Sequence, residues 1–534
     1  MVALLPALCW GAAASADAGE REIAAYVRAR AADADGAKAE AAKAYAEALR
    51  ASPYSAIVAA RAFRVALDVG DAELAARSRA ILERADVAPA DAALLSVADA
   101  VATHDDAALA RAIESISKGP FDFLAPTLRA WQLVPANGAS ALSKLDVTNG
   151  NPLATRVGSE NRALIMIALG RSKDAIDLLK VLTGVDPANV DFRITAAQML
   201  THAGESDAAM ALLQGNDSVL SAYRPTLGKG LAATPAVGIA RLFTRLGANL
   251  DTGKAARAAI VLATAALRLE PDNDRARLVL ASALINDNAA DQAIRVLGEI
   301  APSSPANGEA RAIRVAALQA NNQAAAALAA SAEVNALPTV SSADAQRFGD
   351  LLMAAGRYGD AAHAYGHAID LAGSDADWVL YLQKGAALDQ AGQWALAEPA
   401  LAMAVERAPN SPVALNYLGY ARLEHGGDPK AATKLLERAN ALQPDNYSIV
   451  DSLAWGYFSQ GEVGRALPLL EKAAENEPAN STISEHLGDA YWASGRQFEA
   501  RYAWRAATIT ASAGDNGRLS SKLAEGLPPR TARR

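Results

Sequence analysis

An alanine returns every 34 to 36 residues through the second half of this 534-residue chain. It occupies positions Ala259, Ala293, Ala327, Ala361, Ala397, Ala432, Ala466 and Ala500. Twelve residues before most of these lies another small residue, at Gly247, Ala281, Gly349, Gly385 or Gly488. Self-similarity at a fixed period is typical of repeat proteins, in which each unit packs on its neighbours. We therefore predict one long array rather than several globular domains.

The composition indicates that the units are helical. Hydrophobic residues make up 51% of the chain but aromatic residues only 5%, and much of the apolar share is alanine, a strong helix former. Prolines close many units and glycines mark the turns inside them. These prolines and glycines are Pro271, Pro305, Pro409, Pro444 and Pro478, and Gly356, Gly392, Gly461 and Gly495. We expect two helices in each unit and an all-α fold.

Eight tandem units are predicted between residues 240 and 514. They begin at Ala240, Asp274, Gly308, Ser342, Trp378, Pro412, Tyr447 and Ser481. The last unit is the clearest, with Leu487, Gly488, Tyr491, Ala500, Trp504 and Ala507 in register. This spacing resembles the tetratricopeptide repeat family. The resemblance implies an α-solenoid of helix-turn-helix repeats that form a right-handed superhelix, with the first helix of each unit lining the concave face.

The N-terminal half keeps the same period less strictly. We predict degenerate units over residues 17–117 and 159–214. Two segments, 118–158 and 215–239, are enriched in Gly and Pro and are predicted as irregular connections. Each is a hinge, a docking loop or a decayed repeat. Residues 515–534 are expected to hold a capping helix, which a solenoid end requires, and a basic tail.

The first residues resemble a secretory signal. An apolar run over residues 2–14 ends in Ala-Ser-Ala at 14–16, although no Lys or Arg precedes it, as in a truncated n-region. We therefore expect residues 1–16 to be removed on export to the periplasm, together with Cys9, the only cysteine. Leu8 stands before Cys9, which disfavours lipidation there. If residues 1–16 are not a signal, the protein is cytoplasmic.

No motif in the chain indicates catalysis or a cofactor, so we predict neither. His363 and His367 have a spacing that can hold a metal, but no acidic partner accompanies them, and we predict no metal site. Residues 228–230 lack the rest of a phosphate-binding loop. A net charge of -8 argues against nucleic acid. We expect no transmembrane segment in the mature chain.

A partner-binding groove is predicted at the C-terminal end, since half of the Phe, Trp and Tyr residues follow residue 377. By the resemblance, the exposed positions of its concave face are Asn416, Tyr420, Asp451, Trp455, Phe458, Glu485, Asp489 and Trp492. Aromatic anchors among polar neighbours are typical of interface hot spots, although the two tryptophans could instead be core residues. Some family members clamp a carboxylate with basic residues on this face. The acidic residues found here favour a neutral or basic segment, or a peptide held through its backbone.

These features together favour a non-enzymatic scaffold or adaptor of the bacterial cell envelope. Residues 451–455 and 486–492 also resemble repeat lipoproteins that serve as adaptors of periplasmic processing proteases, so such a protease is one candidate partner. An assembly factor for polysaccharide or appendage export is the second hypothesis, with envelope assembly proteins as partners. A cytoplasmic scaffold of the same repeat family is the third.

Overall fold

A computed structural model of the chain describes residues 23–136, 138–146, 151–186, 188–250, 255–512 and 514–528. Every regular element in these ranges is a helix. The chain divides into two compact units, which we call unit 1 (Met1–Val334) and unit 2 (Asn335–Arg534). The division falls inside the predicted block 240–514, near the end of its third repeat. The predicted signal, residues 1–16 with Cys9, lies outside the described residues.

Unit 1 is built from nineteen described helices, several of them short, and the last extends one residue past the division. They are α1 (23–34), α2 (Lys38–Ala51), α3 (Ala56–Val69), α4 (Ala72–Arg84), α5 (Ala92–Ala102), α6 (Asp106–Ile116), α7 (Ala125–Leu133), α8 (Ala139–Ser143), α9 (Pro152–Ala168), α10 (Ser172–Val185), α11 (Val190–His202), α12 (Ser206–Leu212), α13 (Ser218–Tyr223), α14 (Pro235–Leu250), α15 (Ala256–Leu269), α16 (Asp274–Asn286), α17 (Ala290–Gly298), α18 (Asn307–Ala320) and α19 (Ala324–Asn335).

Unit 2 contains five helix pairs and a terminal helix. They are α20 (Ser342–Ala354), α21 (Tyr358–Ala372), α22 (Trp378–Gln390), α23 (Trp394–Arg407), α24 (Pro412–Glu424), α25 (Pro429–Leu442), α26 (Tyr447–Ser459), α27 (Val463–Asn476), α28 (Ser481–Ala493), α29 (Gln497–Thr510) and α30 (Asn516–Glu525). Each helix packs on the next one along the chain, and α24, α26 and α28 also touch in sequence. This is the packing of a helical-repeat solenoid, as predicted.

The helix ends lie close to the prolines and glycines that the sequence analysis identified as boundary and turn residues. Two residues after Pro444 and Pro478, the side chains of Asn446 and Asn480 accept hydrogen bonds from backbone N–H groups in the first turns of α26 and α28. The turns inside the repeats place glycine in the left-handed region, for example Gly461 at φ 84°. The boundaries of these repeats are therefore encoded locally, by an N-cap residue and a turn residue.

Close helix packing depends on the recurring small residues. All eight alanines of the 34 to 36 residue series have no exposed surface. A Cβ atom built on Gly488 would stand 2.4 Å from Cδ1 of Trp504, and one on Gly349 would stand 2.6 Å from Cε1 of Tyr365. The glycine of the first helix is thus required because a large side chain of the second helix lies directly against it.

Unit 1 departs from the expectation that each repeat packs only on its neighbours. Helix α15 packs against α5 and α3, which precede it by more than 150 residues. Arg257 on α15 donates to Asp68 on α3 over 2.6 Å, and the Asp68 side chain has no exposed surface. Seven of the eleven residues of α5 and eight of the fourteen of α15 are buried. Helices that are apolar on most faces must be covered on more than one side, so these two pack together.

The two segments predicted as irregular connections both contain helices, so that prediction is wrong for much of their length. Helices α7 and α8 lie within 118–158, and α13 lies within 215–239. Their Gly and Pro content was misleading because Pro126 and Pro152 stand in the first turn of their helices, where proline is tolerated. Residues 515–534 do contain the expected terminal helix, α30.

Candidate functional site

The first helices of the last three repeats form a row in unit 2, and side chains one repeat apart join them. Trp455 on α26 donates through Nε1 to Glu424 on α24, 31 residues earlier, over 2.8 Å. His486 on α28 contacts Asp451 on α26, 35 residues earlier, with Nδ1 2.9 Å from Oδ2. These links run across the helices rather than along them, so the row is a continuous polar and aromatic surface.

His486 and Asp451 form the centre of this row. The imidazole is buried and stacks on the Trp455 ring at 4.1 Å between centroids with an interplanar angle of 12°. Burial lowers the pKa of His486, but the charge and hydrogen bond of Asp451, with the charges of Asp489 and Glu424, raise it above 6.5 overall. The Asp451 carboxylate therefore favours the protonated form of the buried imidazole.

Two further acidic residues, Glu485 and Asp489, lie on α28, the first helix of the last repeat. Side chains of the terminal helix α30 bind both of them. Lys522 on α30 donates to Glu485 over 2.6 Å and to Asp489 over 2.7 Å. Arg518 donates to Glu485 over 2.9 Å, and Trp504 donates through Nε1 to Asp489 over 2.8 Å. Burial raises the pKa of Asp489, and Lys522 and Trp504 offset this only in part. Both carboxylates thus depend on α30 for a counter-charge.

The indole of Trp492 completes the contact with the terminal helix. Leu523 and Leu527 pack in the same cluster as Trp492 and Trp504. Gly526 takes φ 74°, and a Cβ atom built on it would stand 2.0 Å from Cζ2 of Trp492. The backbone that follows α30 therefore lies directly on the Trp492 ring.

The eight predicted groove residues do lie on the first helices, but their predicted exposure is wrong for the acidic ones and for Phe458. Asp451, Phe458, Glu485 and Asp489 are buried, at 4%, 8%, 6% and 5% exposure. Asn416, Tyr420, Trp455 and Trp492 are half-buried. The acids are covered because neighbouring repeats and α30 supply matching polar groups. A role of these residues in binding a partner stays a prediction.

The upstream part of the row is more open. Gln383 on α22 exchanges hydrogen bonds with α20, receiving one from Gln346 at 2.8 Å and donating one to Asp350 at 2.9 Å. Asn416 and Tyr420 follow on α24, and the Asn416 Oδ1 atom is buried without a hydrogen-bond partner. This stretch of the row, α20 to α24, is not covered by the terminal helix.

Three important residues were missed from the sequence: His486, Arg518 and Lys522. The repeat period could have pointed to two of these contacts. Asp451 and His486 are separated by 35 residues, and Asp489 and Lys522 are separated by 33. Complementary charges one repeat apart on first helices are placed side by side by the fold.

The described residues give no sign of a metal centre or a membrane span. In this part of the chain, no three His, Cys, Asp or Glu side chains are grouped so as to hold a metal ion. His367 instead lies 3.3 Å from the Asn335 amide through Nδ1. Within the same ranges, no helix has the length and hydropathy needed to cross a bilayer.

Models of the tetratricopeptide repeat match the chain over residues 250–321, 382–447 and 452–516. No curated protein matches the chain. Among similar solved structures, MamA is 22% identical over 35% of this chain and 96% of its own, with a TM-score of 0.27.

Two other solved structures are similar at low identity. The APC/C hetero-tetramer Cut9–Hcn1 is 14% identical over 95% of this chain and 96% of its own, with a TM-score of 0.37. The C-terminal part of a repeat protein from Cytophaga hutchinsonii is 20% identical over 46% of this chain and 99% of its own, with a TM-score of 0.35. These TM-scores are too low for a residue-by-residue comparison.

The matched segments are tetratricopeptide repeats, and the described residues of the chain form an all-α solenoid of helical repeats. Such repeats support protein–protein interaction, because stacked helix pairs present an extended surface.

Proposed function

We propose that this tetratricopeptide-repeat protein is a non-enzymatic scaffold that binds a protein partner through the first helices of unit 2. One observation supports this most strongly. From α20 to α28, half-buried polar and aromatic side chains follow one another across successive first helices. They include Gln383, Asn416, Tyr420 and Trp455. Rigid aromatic side chains beside adaptable amides are the composition that protein interfaces favour.

The charge of this surface indicates what kind of segment it binds. Glu424 is exposed and accepts a hydrogen bond from Trp455. The buried Asp451 contacts His486, which stacks on the same Trp455 ring. A carboxylate-bearing segment would be repelled here, whereas a neutral or basic extended segment would not. Asn416 is only partly buried, and its amide can exchange hydrogen bonds with the backbone of such a segment.

We further propose that the protein acts in the bacterial cell envelope, with the signal-like residues 1–16 as the reason. A fusion of residues 1–30 to alkaline phosphatase, which is active only after export, tests this location. Phosphatase activity equal to that of a fusion lacking residues 1–16 would reject export and favour a cytoplasmic scaffold.

Capture of partners from native envelopes tests the scaffold role. The tagged full-length chain is compared with a double variant, Asn416→Ala with Tyr420→Ala, and with a matched control, Phe498→Ala with Tyr502→Ala. The control pair is exposed on the outer helix α29, at 71% and 58%.

We expect a partner that purified protein binds directly, that the first variant loses and that the control keeps. A processing protease among such partners would favour the adaptor role, and export machinery would favour the assembly factor. Retention of every partner by the folded first variant would reject this surface.

A further inference from the structure

The last repeat of unit 2 holds a pocket that we call the terminal pocket, formed by Glu485, Asp489 and Trp492 of α28 and Trp504 of α29. Its walls combine two buried carboxylates with two indole rings, 5.4 Å apart between centroids. The occupant is α30, which places Lys522 between the carboxylates and Leu519, 1% exposed, among the aromatic side chains.

The chemistry of this pocket requires a cation. Glu485 and Asp489 lie one turn apart on α28 and are 6% and 5% exposed. Burying a single unpaired carboxylate costs several kcal/mol, and two neighbouring carboxylates also repel each other. The Lys522 ammonium meets both, and Arg518 adds a second cation to Glu485. The pocket therefore selects its occupant by charge as well as by shape.

Helix α30 docks through charge as well as through the apolar face that a cap needs. Leu519 and Leu523 pack on the aromatic side chains, and Lys522 and Arg518 pair with the buried carboxylates. A helix of ten residues is marginal in water by itself, so its helical state depends on docking. The contact resembles a recognition interface, with two cations and two leucines at helical spacing, Arg518 with Lys522 and Leu519 with Leu523.

We propose that the terminal pocket is a docking site for a basic amphipathic helix of the partner protein, and that α30 occupies the same site within the chain until that partner displaces it. The inference rests on the proposed scaffold function and names its partner's chemistry. An occupant tethered to its own site has an effective concentration in the millimolar range. The partner helix consequently binds the intact chain more weakly than a chain whose α30 has been released.

Peptide binding to the full-length chain tests this inference. The probe is a fluorescein-labelled peptide with the sequence of residues 514–528, followed by fluorescence anisotropy. In Lys522→Glu the new carboxylate faces Glu485 and Asp489 and expels α30. We expect this variant to bind the peptide at least about tenfold more tightly than the unmodified chain. Lys434→Glu, an exposed lysine on the outer helix α25, is the matched control and should bind as the unmodified chain does.

One further variant and two further peptides distinguish charge-selective binding from nonspecific hydrophobic binding. Gly526→Ala releases α30 by the clash with Trp492 without altering any charge, and should also bind the peptide more tightly. A peptide that carries Glu in place of Lys522 should fail to bind either released chain. An unrelated alanine-rich helix with the same Arg-Leu and Lys-Leu spacing should bind both, as a partner helix would.

Equal affinity of the folded Lys522→Glu and unmodified chains would overturn the proposal, as would binding of the Glu-substituted peptide. Circular dichroism and tryptophan emission establish that each variant is folded. The capture experiment above substitutes no residue of α30 or of the terminal pocket, so retention of every partner there would reject the surface at Asn416 and Tyr420 and not the terminal pocket. A failure of the peptide experiment would reject the terminal pocket alone.

Discussion

His486 and Asp451 lie 35 residues apart in the chain, yet their side chains meet at 2.9 Å because they stand at equivalent positions of adjacent repeats. Neither residue is more than 7% exposed. Removing one member of such a pair leaves the other buried without a counter-charge, which is strongly destabilising. The pair thus connects the repeat period directly to the stability of unit 2.

The His486–Asp451 pair makes the stability of unit 2 depend on pH. The folded pKa of His486 is raised above 6.5, its ordinary value. Its contribution is therefore complete below pH 6.5 and is lost as the pH rises through the folded pKa. Urea unfolding followed by tryptophan emission should show a lower midpoint at pH 9 than at pH 6. Five of the seven tryptophans lie in unit 2, so emission reports mainly on this unit.

The same measurement on His486→Gln isolates the imidazole. We expect this variant to be less stable than the unmodified chain at pH 6, by about 3 to 5 kcal/mol, and to lose most of the decline between the two pH values. A decline of the same size in His486→Gln would show that another group causes the pH dependence.

The repeat alanine at position 500 should tolerate no larger side chain. Ala500 has no exposed surface, and Ala500→Leu would overpack the crossing of α28 and α29 by about 1 to 3 kcal/mol. Ala506→Leu lies on the exposed face of the same helix and should change stability by less than about 0.5 kcal/mol. Chemical unfolding of both variants provides the comparison, and equal stabilities would contradict the close packing described here.

Two glycines of unit 2 should respond in opposite directions to alanine. Gly488→Ala would bring a methyl group to 2.4 Å from the Trp504 ring and should destabilise by about 1 to 3 kcal/mol. Gly464 lies in α27 with open space around it, so Gly464→Ala should stabilise by up to about 1 kcal/mol through helix propensity. Thermal unfolding by circular dichroism ranks the two. A loss of stability in both would mean that the space around Gly464 is restricted.

The long-range pairing in unit 1 predicts a large difference between two arginines of α15. Arg257→Met leaves the buried Asp68 carboxylate without its closest cation and should cost about 3 to 5 kcal/mol. Arg268 is 58% exposed where it pairs with Asp99, so Arg268→Met should cost less than about 1 kcal/mol.

Amide hydrogen exchange in α3 and α15 measures the loss of stability that each arginine substitution causes in unit 1. Exchange should accelerate in Arg257→Met and remain close to that of the unmodified chain in Arg268→Met. Equal protection in the two variants would show that the Arg257–Asp68 contact does not hold α3 and α15 together.

Much of unit 2 could be predicted from the sequence because its signals are local. The period of Ala397, Ala432, Ala466 and Ala500 sets the helix pairs, and Asn446 and Asn480 cap helices just after a proline. The exposure of Glu485 and Asp489 could not be predicted in this way. It depends on the docking of the terminal helix, which brings Lys522 to both carboxylates.

Unit 1 also contains tertiary contacts that local sequence signals do not predict. The burial of most residues in α5 and α15 follows from their apolar composition, which indicates that each helix is covered on several faces. Composition does not say which helix covers which, because the hydrophobic effect is non-directional. The hydrogen bond between Arg257 and Asp68, which are 189 residues apart, helps to specify that α15 packs against α3.

In the repeats after residue 240, the sequence by itself determined the helices, their ends and the repeat period, because hydrogen bonds within a helix, N-caps and small-residue spacing act over a few residues. The tertiary structure alone decided which carboxylates are buried and what neutralises them, because a charge is taken out of water only when distant elements close around it. The groove residues named from the repeat pattern therefore lie on the expected helices, but neighbouring repeats and α30 determine which of them are exposed.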